Sequence, residues 1–280
     1  MGLYLRPDTL PEALEALARE PLTVLAGGTD FYPARVGRAL DDDVLDITAI
    51  EELRGIRELD DHWLIGATTT WTDIATADLP PLFRGLQQAA REIGGAQVQN
   101  AGTVAGNLCN ASPAADGMPP LLCLDATVDL AARTGATQLP LSEFVQGNRQ
   151  TGRRADQLVT GIRIAKPAHR GVSAFRKLGA RRYLVISIVM VAGTLELDAE
   201  GRIVAARLAV GACSAVARRL PELEGRLVGR PCGSGLSALV EANDLAALTP
   251  IDDARGSGTY RRDAAATLVR RLLADLEAMA

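Results

Sequence analysis

The chain has 280 residues, 48 % hydrophobic and 23 % charged, with a formal net charge of −4 at pH 7. That balance belongs to a globular protein longer than one average domain and able to bury a sizeable core. The slight acidity gives no footing for nucleic acid, which needs a basic face. No apolar run reaches the roughly 20 residues of a membrane span, and Met1–Pro7 lacks the plan of a secretory signal, so a cytoplasmic location is expected.

In chain order, the first predicted element is a strand, Leu3–Leu5, followed by a helix. Thr9 can cap that helix, Pro11 suits its first turn, and Leu10, Leu14 and Leu17 recur at helical spacing. A strand over Leu22–Leu25 runs into the glycine-rich turn Ala26-Gly27-Gly28-Thr29-Asp30, and a strand at Val44–Ile47 closes a β-α-β-β unit near residue 55. Next come a strand at Trp63–Ala67, a short helix begun near Thr70, and a helical stretch from Pro81 to Gly94 with Leu82, Leu86, Ala89, Ala90 and Ile93 on one face. The glycine-rich stretch Gln97–Pro120 follows as a loop. A helical turn Leu121–Leu124 leads to strands Thr127–Ala131 and Leu158–Ile164, with Leu139–Phe144 entering the loop between them. Lys166–Gly171 reads as a linker by its proline and glycine. Beyond it, Val185–Val191 and Gly193–Leu197 read as two antiparallel strands, continued by Ile203–Val210. A closing helix over Tyr260–Met279 stripes Leu268, Leu272, Leu273 and Leu276 on one face. The pattern is α+β, with units at about 1–55, 56–165 and 170–280.

The four cysteines, Cys109, Cys123, Cys213 and Cys232, have no metal-ligand spacing and read as free thiols. His62 and His169 stand in polar turn-like contexts and read as solvent-exposed. The informative chemistry lies in the two glycine-rich stretches. Gly27 and Gly28 alone would be an ordinary tight turn. With Thr29 they also make a nest of N–H groups suited to a pyrophosphate. In the second stretch Thr103, Asn107, Asn110, Ser112 and Asp116 are free to hydrogen-bond a ligand, and Thr103 and Asn107 flank Gly106. Neither stretch is the G-x-G-x-x-G fingerprint of the doubly wound fold. Two such turns suggest one elongated, phosphate-bearing ligand gripped from two sides.

Ala26–Asp30 together with Asn100-Ala-Gly-Thr103-Val-Ala-Gly106-Asn107 resembles the paired FAD signature of the flavoprotein subunit of molybdenum hydroxylases, the xanthine dehydrogenase and carbon monoxide dehydrogenase family. Leu158–Ile164 and Phe175–Arg182 extend the likeness over nearly the whole chain, thinning after about Asp253. The resemblance implies a two-part FAD-binding domain of the PCMH type over 1–165 and a C-terminal domain of the carbon monoxide dehydrogenase flavoprotein type over 170–280. It implies FAD contacts from Leu25, Ala26, Gly27, Gly28, Thr29, Asp30, Thr103, Gly106 and Asn107. Ile93 and Gly94 would lie against the isoalloxazine, Asp116 on ribityl or ribose hydroxyls, Val159 in apolar packing, and Lys177 near the flavin. From the residues alone, Asp116 serves equally as a cap for the Pro119 turn, Ile93 as core, and Lys177 as a surface lysine. Gln99 stands where the family often has arginine, and Ala105 replaces the first of a glycine pair.

The implied partners are a large molybdopterin subunit and a small subunit with [2Fe–2S] clusters, in a heterotrimer or a dimer of heterotrimers. NAD or another acceptor would take the electrons. The wording of Asn110–Asp116 resembles the purine and N-heterocycle branch more than the carbon monoxide branch. The rival readings are a stand-alone flavin oxidase of the same superfamily and an interaction module that has lost its flavin.

Overall fold

The computed structural model describes residues 2–37, 39 and 41–280. The first unit contains β1 (Tyr4–Leu5), α1 (Leu10–Arg19), β2 (Thr23–Leu25) and β3 (Val44–Asp46). Its sheet is parallel, ordered β1-β3-β2. Thr9 holds the N-cap position of α1 without a side-chain bond, and Pro11 lies in the first turn. The helix buries Ala13 and Leu17 against Leu45, Ile47 and Ile50.

The second unit runs through β4 (Ile56–Glu58), β5 (His62–Gly66), α2 (Trp71–Thr76), α3 (Arg84–Glu92), α4 (Ala96–Ala101), α5 (Val104–Asn110), α6 (Met118–Cys123), β6 (Thr127–Ala132), β7 (Gly135–Pro140), α7 (Leu141–Phe144), β8 (Val145–Gly147), β9 (Gln150–Thr151) and β10 (Leu158–Ala165). Five of its strands form an antiparallel sheet ordered β4-β5-β10-β6-β7. The pairing of β10 with β6 slips between Val159 and Gly161. Just before that irregularity two successive residues, on opposite faces of the strand, are both buried. Leu158 joins the core of the first unit and Val159 that of the second, so β10 stitches the units together.

The third unit contains β11 (Arg170–Leu178), β12 (Val189–Leu197), β13 (Ile203–Gly211), β14 (Arg218–Arg219), α8 (Pro221–Leu227) and α9 (Gly258–Met279). Its antiparallel sheet is ordered β11-β12-β13-β14. Every residue of β12 is buried. Strand alternation explains why: Met190 and Ala192 face the core of the second unit, while Val189, Val191 and Leu195 face the α9 side.

Three expectations need correction. The stretch read as a loop over Gln97–Pro120 contains α4, α5 and the start of α6, because Thr103 caps α5 and small residues tolerate tight turns. Val185–Leu197 is not two strands; β12 passes straight through Gly193, where an added Cβ would press on Leu208, Leu272 and Leu276. The glycine marks close helix-on-sheet packing, not a turn. His62 is buried at 8 % exposure; its Nδ1 bonds Asp61 at 2.5 Å and its Nε2 meets Arg163. No helix among the described residues is long and apolar enough to cross a membrane.

Candidate cofactor-binding site

The two glycine-rich segments meet at the seam between the first and second units. β2 delivers Ala26–Asp30, while α4 and α5 carry the other segment. A Cβ on Gly27 would overlap the Ala101 carbonyl, so only glycine allows the backbones to touch there. Gly28 has φ +70°, the left-handed region that favours glycine. Among the described residues nothing accepts from the N–H groups of Gly27, Gly28, Thr29 or Asp30, so they are free to donate to water or to a ligand.

A cavity of about 480 Å³ opens along this seam, within the usual range for small-molecule sites. Leu25, Ala26, Gly27, Gly28, Thr29 and Asp30 line it from the first unit. Ile93, Thr103, Gly106, Asn107 and Val159 line it from the second. Thr103, Gly106, Asn107 and Asn110 fall at the i, i+3, i+4, i+7 spacing of one helix face, and all four line the wall. The Thr103 hydroxyl accepts from the Gly106 N–H at 3.1 Å, which caps α5 and leaves the hydroxyl proton free to donate. An added Cβ on Gly106 would meet only that hydroxyl, so the backbone is bare toward the cavity. Asn107 Oδ1 is buried without a hydrogen-bond partner. Leu22, Val24, Ile47 and Leu158 supply an apolar wall. Unclaimed donors, bare glycine backbone and an apolar surface together fit a dinucleotide with a flat ring system.

Gly94, Asp116 and Lys177 lie outside this wall. Gly94, at φ +55°, turns the chain between α3 and α4. Asp116 and Lys177 form a buried pair at 2.5 Å. Lys177 also donates to the Glu92 carbonyl at 3.1 Å, and Ser187 donates to Asp116 at 2.5 Å. Burial pushes the Asp116 carboxyl up, against the pull of the Lys177 ammonium and the Ser187 hydroxyl. Through these bonds Asp116, in the second unit, is tied to Lys177 and Ser187 of the third. Of the two departures, Ala105 stands in the cavity wall, while Gln99 donates to the Arg91 carbonyl at 3.1 Å and does not line the cavity.

Sequence reasoning missed Phe31, Trp71, Cys109 and Arg153, all in the wall. Trp71 follows Thr70, whose capping box with Asp73 starts α2 and fixes the indole behind Gly117. That box was legible as Thr-x-x-Asp. Arg153 carried no signal, since one arginine in a polar turn looks like solvated charge. Burial pushes the Cys109 thiol up to about 11, which disfavours the reactive thiolate.

A cavity walled by bare glycine backbone on one side and apolar residues on the other marks a dinucleotide-cofactor protein, assembled from two packed units with a third behind them. Comparison with known proteins makes the class specific. Residues 1–167 match the model of the FAD binding domain in molybdopterin dehydrogenase, and residues 173–276 match that of the CO dehydrogenase flavoprotein C-terminal domain. The chain belongs to the FAD-binding, medium-subunit family of the molybdenum hydroxylases. It is 33 % identical to the nicotinate dehydrogenase FAD-subunit of Eubacterium barkeri, covering 81 % of this chain and 80 % of that one. It is 31 % identical to the glyceraldehyde dehydrogenase medium chain of Sulfolobus acidocaldarius, covering 96 % and 95 %. A chain of the carbon monoxide dehydrogenase of Hydrogenophaga pseudoflava, in a form lacking the Mo-pyranopterin moiety, superposes with a TM-score of 0.88 at 26 % identity, covering 99 % of this chain and 97 % of that one.

Proposed function

We propose that this chain holds FAD non-covalently at the seam and relays electrons, within a molybdenum hydroxylase complex, from [2Fe–2S] clusters on a small subunit to NAD or another acceptor. The reading rests above all on the convergence at one cavity of two glycine segments with the unclaimed N–H groups of Gly27–Asp30. Those groups and the Thr103 hydroxyl would hold the pyrophosphate, and Ile93 and Val159 would pack on the rings. Bound FAD supplies the exchange between two-electron and one-electron carriers. The protein's share is to orient the cofactor and keep bulk water from it.

A non-covalent hold is supported by the wall itself: among the described residues no histidine lines it, and Cys109 is a protonated thiol. The organic substrate would be oxidised on the large molybdopterin subunit. We infer an N-heterocyclic substrate there, supported by the Asn110–Asp116 wording and by the nicotinate dehydrogenase relative. Acid precipitation of the purified chain should release FAD into the supernatant. Asn107→Leu should weaken FAD by roughly 1–3 kcal/mol, by leaving polar ligand atoms unpaired. With both partner subunits present, substrate should bleach the flavin; bleaching by the isolated chain would instead favour a stand-alone oxidase.

A further inference from the structure

The wall of the cavity contains one cation among the described residues, Arg153, and one carboxylate, Asp30. The two neighbouring arginines of this turn behave differently. Arg154 points outward and pairs with Asp156 at 3.0 Å. Arg153 is half-buried and has no carboxylate within ion-pair reach among the described residues. Its Nη1 donates to the main-chain carbonyls of Arg154, at 3.2 Å, and Gln157, at 2.6 Å. Nε and Nη2 donate to nothing among the described residues. One corner of the guanidinium is therefore pinned while its remaining donors are unspent, an arrangement suited to phosphate recognition. Its charge is felt at Cys109, near the C-terminal end of the α5 face that carries Thr103, Gly106 and Asn107.

After Arg154, Arg153 also helps hold the Asp156 carboxyl below its usual value from a distance, but no carboxylate pairs with it directly, and its free donors suit a second anion. Neutral N–H and hydroxyl groups in the wall supply dipoles but no formal charge, and the diphosphate of a dinucleotide carries two negative charges. We propose that Arg153 is the cationic anchor of the cofactor's diphosphate, opposite the Gly27–Thr29 nest. This rests on the FAD reading above and deepens it. Pinning by the two carbonyls makes the anchor rigid, so little side-chain freedom is lost when the anion arrives. Charge pairing in a partly open cavity also makes FAD affinity fall as salt rises.

The test is FAD titration of the flavin-stripped chain at several salt concentrations, followed by flavin fluorescence and by quenching of tryptophan emission, Trp71 being in the wall. Arg153→Gln should weaken FAD about ten- to a hundredfold and flatten the salt dependence. Arg153→Lys should be intermediate and keep the salt dependence. Equal affinity and salt dependence in Arg153→Gln and the parent chain would overturn the anchor alone. So would an equal loss in both variants with the parental salt dependence, since shape and not charge would then be at work. If Arg153→Gln fails to fold, a parent chain whose FAD affinity ignores salt overturns the proposal by itself. A parent chain that takes up no FAD would sink the cofactor reading and the anchor together.

Discussion

At Gly27 the absence of a side chain lets two segments from different units share one surface. Gly27→Ala would push a methyl into the Ala101 carbonyl, which cannot swing aside as a side chain can. Overpacking of this kind costs about 1–3 kcal/mol. The variant should therefore lose melting temperature and bound flavin together; loss of neither would remove the contact from the argument. Asp46, beside the cavity residue Ile47, sets an acid limit on the same wall. Burial pushes its carboxyl up, but hydrogen bonds from the Thr48 hydroxyl, the Tyr4 hydroxyl and the Thr48 N–H outweigh burial and hold it below its usual value. A depressed folded value stabilises the fold above the unfolded value, about pH 4, and that stability is lost as pH falls through the folded value. Thr48→Ala should thus be less stable than the parent at pH 7, by about 1 kcal/mol, with the gap closing toward pH 2. A gap that persists unchanged in acid would assign Thr48 a role independent of the carboxylate. At this scale the sequence was readable where chemistry is local, as with Gly28 at its left-handed turn. It was not readable where a partner comes from afar. Asp116 in its polar loop reads as a cap or as a ligand for hydroxyl groups, and nothing near it in sequence announces its bond to Lys177, 61 positions on.

Among the elements, β12 and α5 show how one residue type misleads in opposite directions. Gly193 between two apolar runs looks like a break. In the fold it is a dent in a continuous strand that lets α9 settle on the sheet through Leu272 and Leu276. The periodic leucines of α9 were legible because a long helix repeats its signal. The dent was not, since glycine's meaning depends on what packs over it. Gly193→Val should cost about 1–3 kcal/mol by overpacking against Leu208, Leu272 and Leu276. The cavity lies elsewhere, so FAD per folded chain should be unchanged. Parallel loss of flavin and stability would couple the third unit to the site more tightly than packing suggests. In α5 the error ran the other way: glycine, alanine and amides suggested open loop, yet Thr103 capping Gly106 starts a helix. Thr103, Asn107 and Asn110, which looked like scattered donors, are then aligned on one face.

Across the whole molecule, the seam that holds the cavity and the interface that holds the third unit are separate pieces of architecture. The first depends on glycine backbones and on Leu158 and Val159 reaching into different cores. The second joins α3, the loop before α6 and β11 through Glu92, Asp116, Ser187 and Lys177. A buried ion pair adds little net stability, but removing one partner strands the other. Lys177→Met should therefore cost about 3–5 kcal/mol in urea unfolding. The double replacement Lys177→Met/Asp116→Leu removes both charges and should recover most of that loss. Flavin content separates this tie between units from the alternative implied by family resemblance, in which Asp116 and Lys177 touch the cofactor. Because neither residue lines the cavity, the double variant should keep FAD at near-parental affinity. A double variant that regains stability yet loses FAD would place the pair at the cofactor and move the site boundary to α3 and β11.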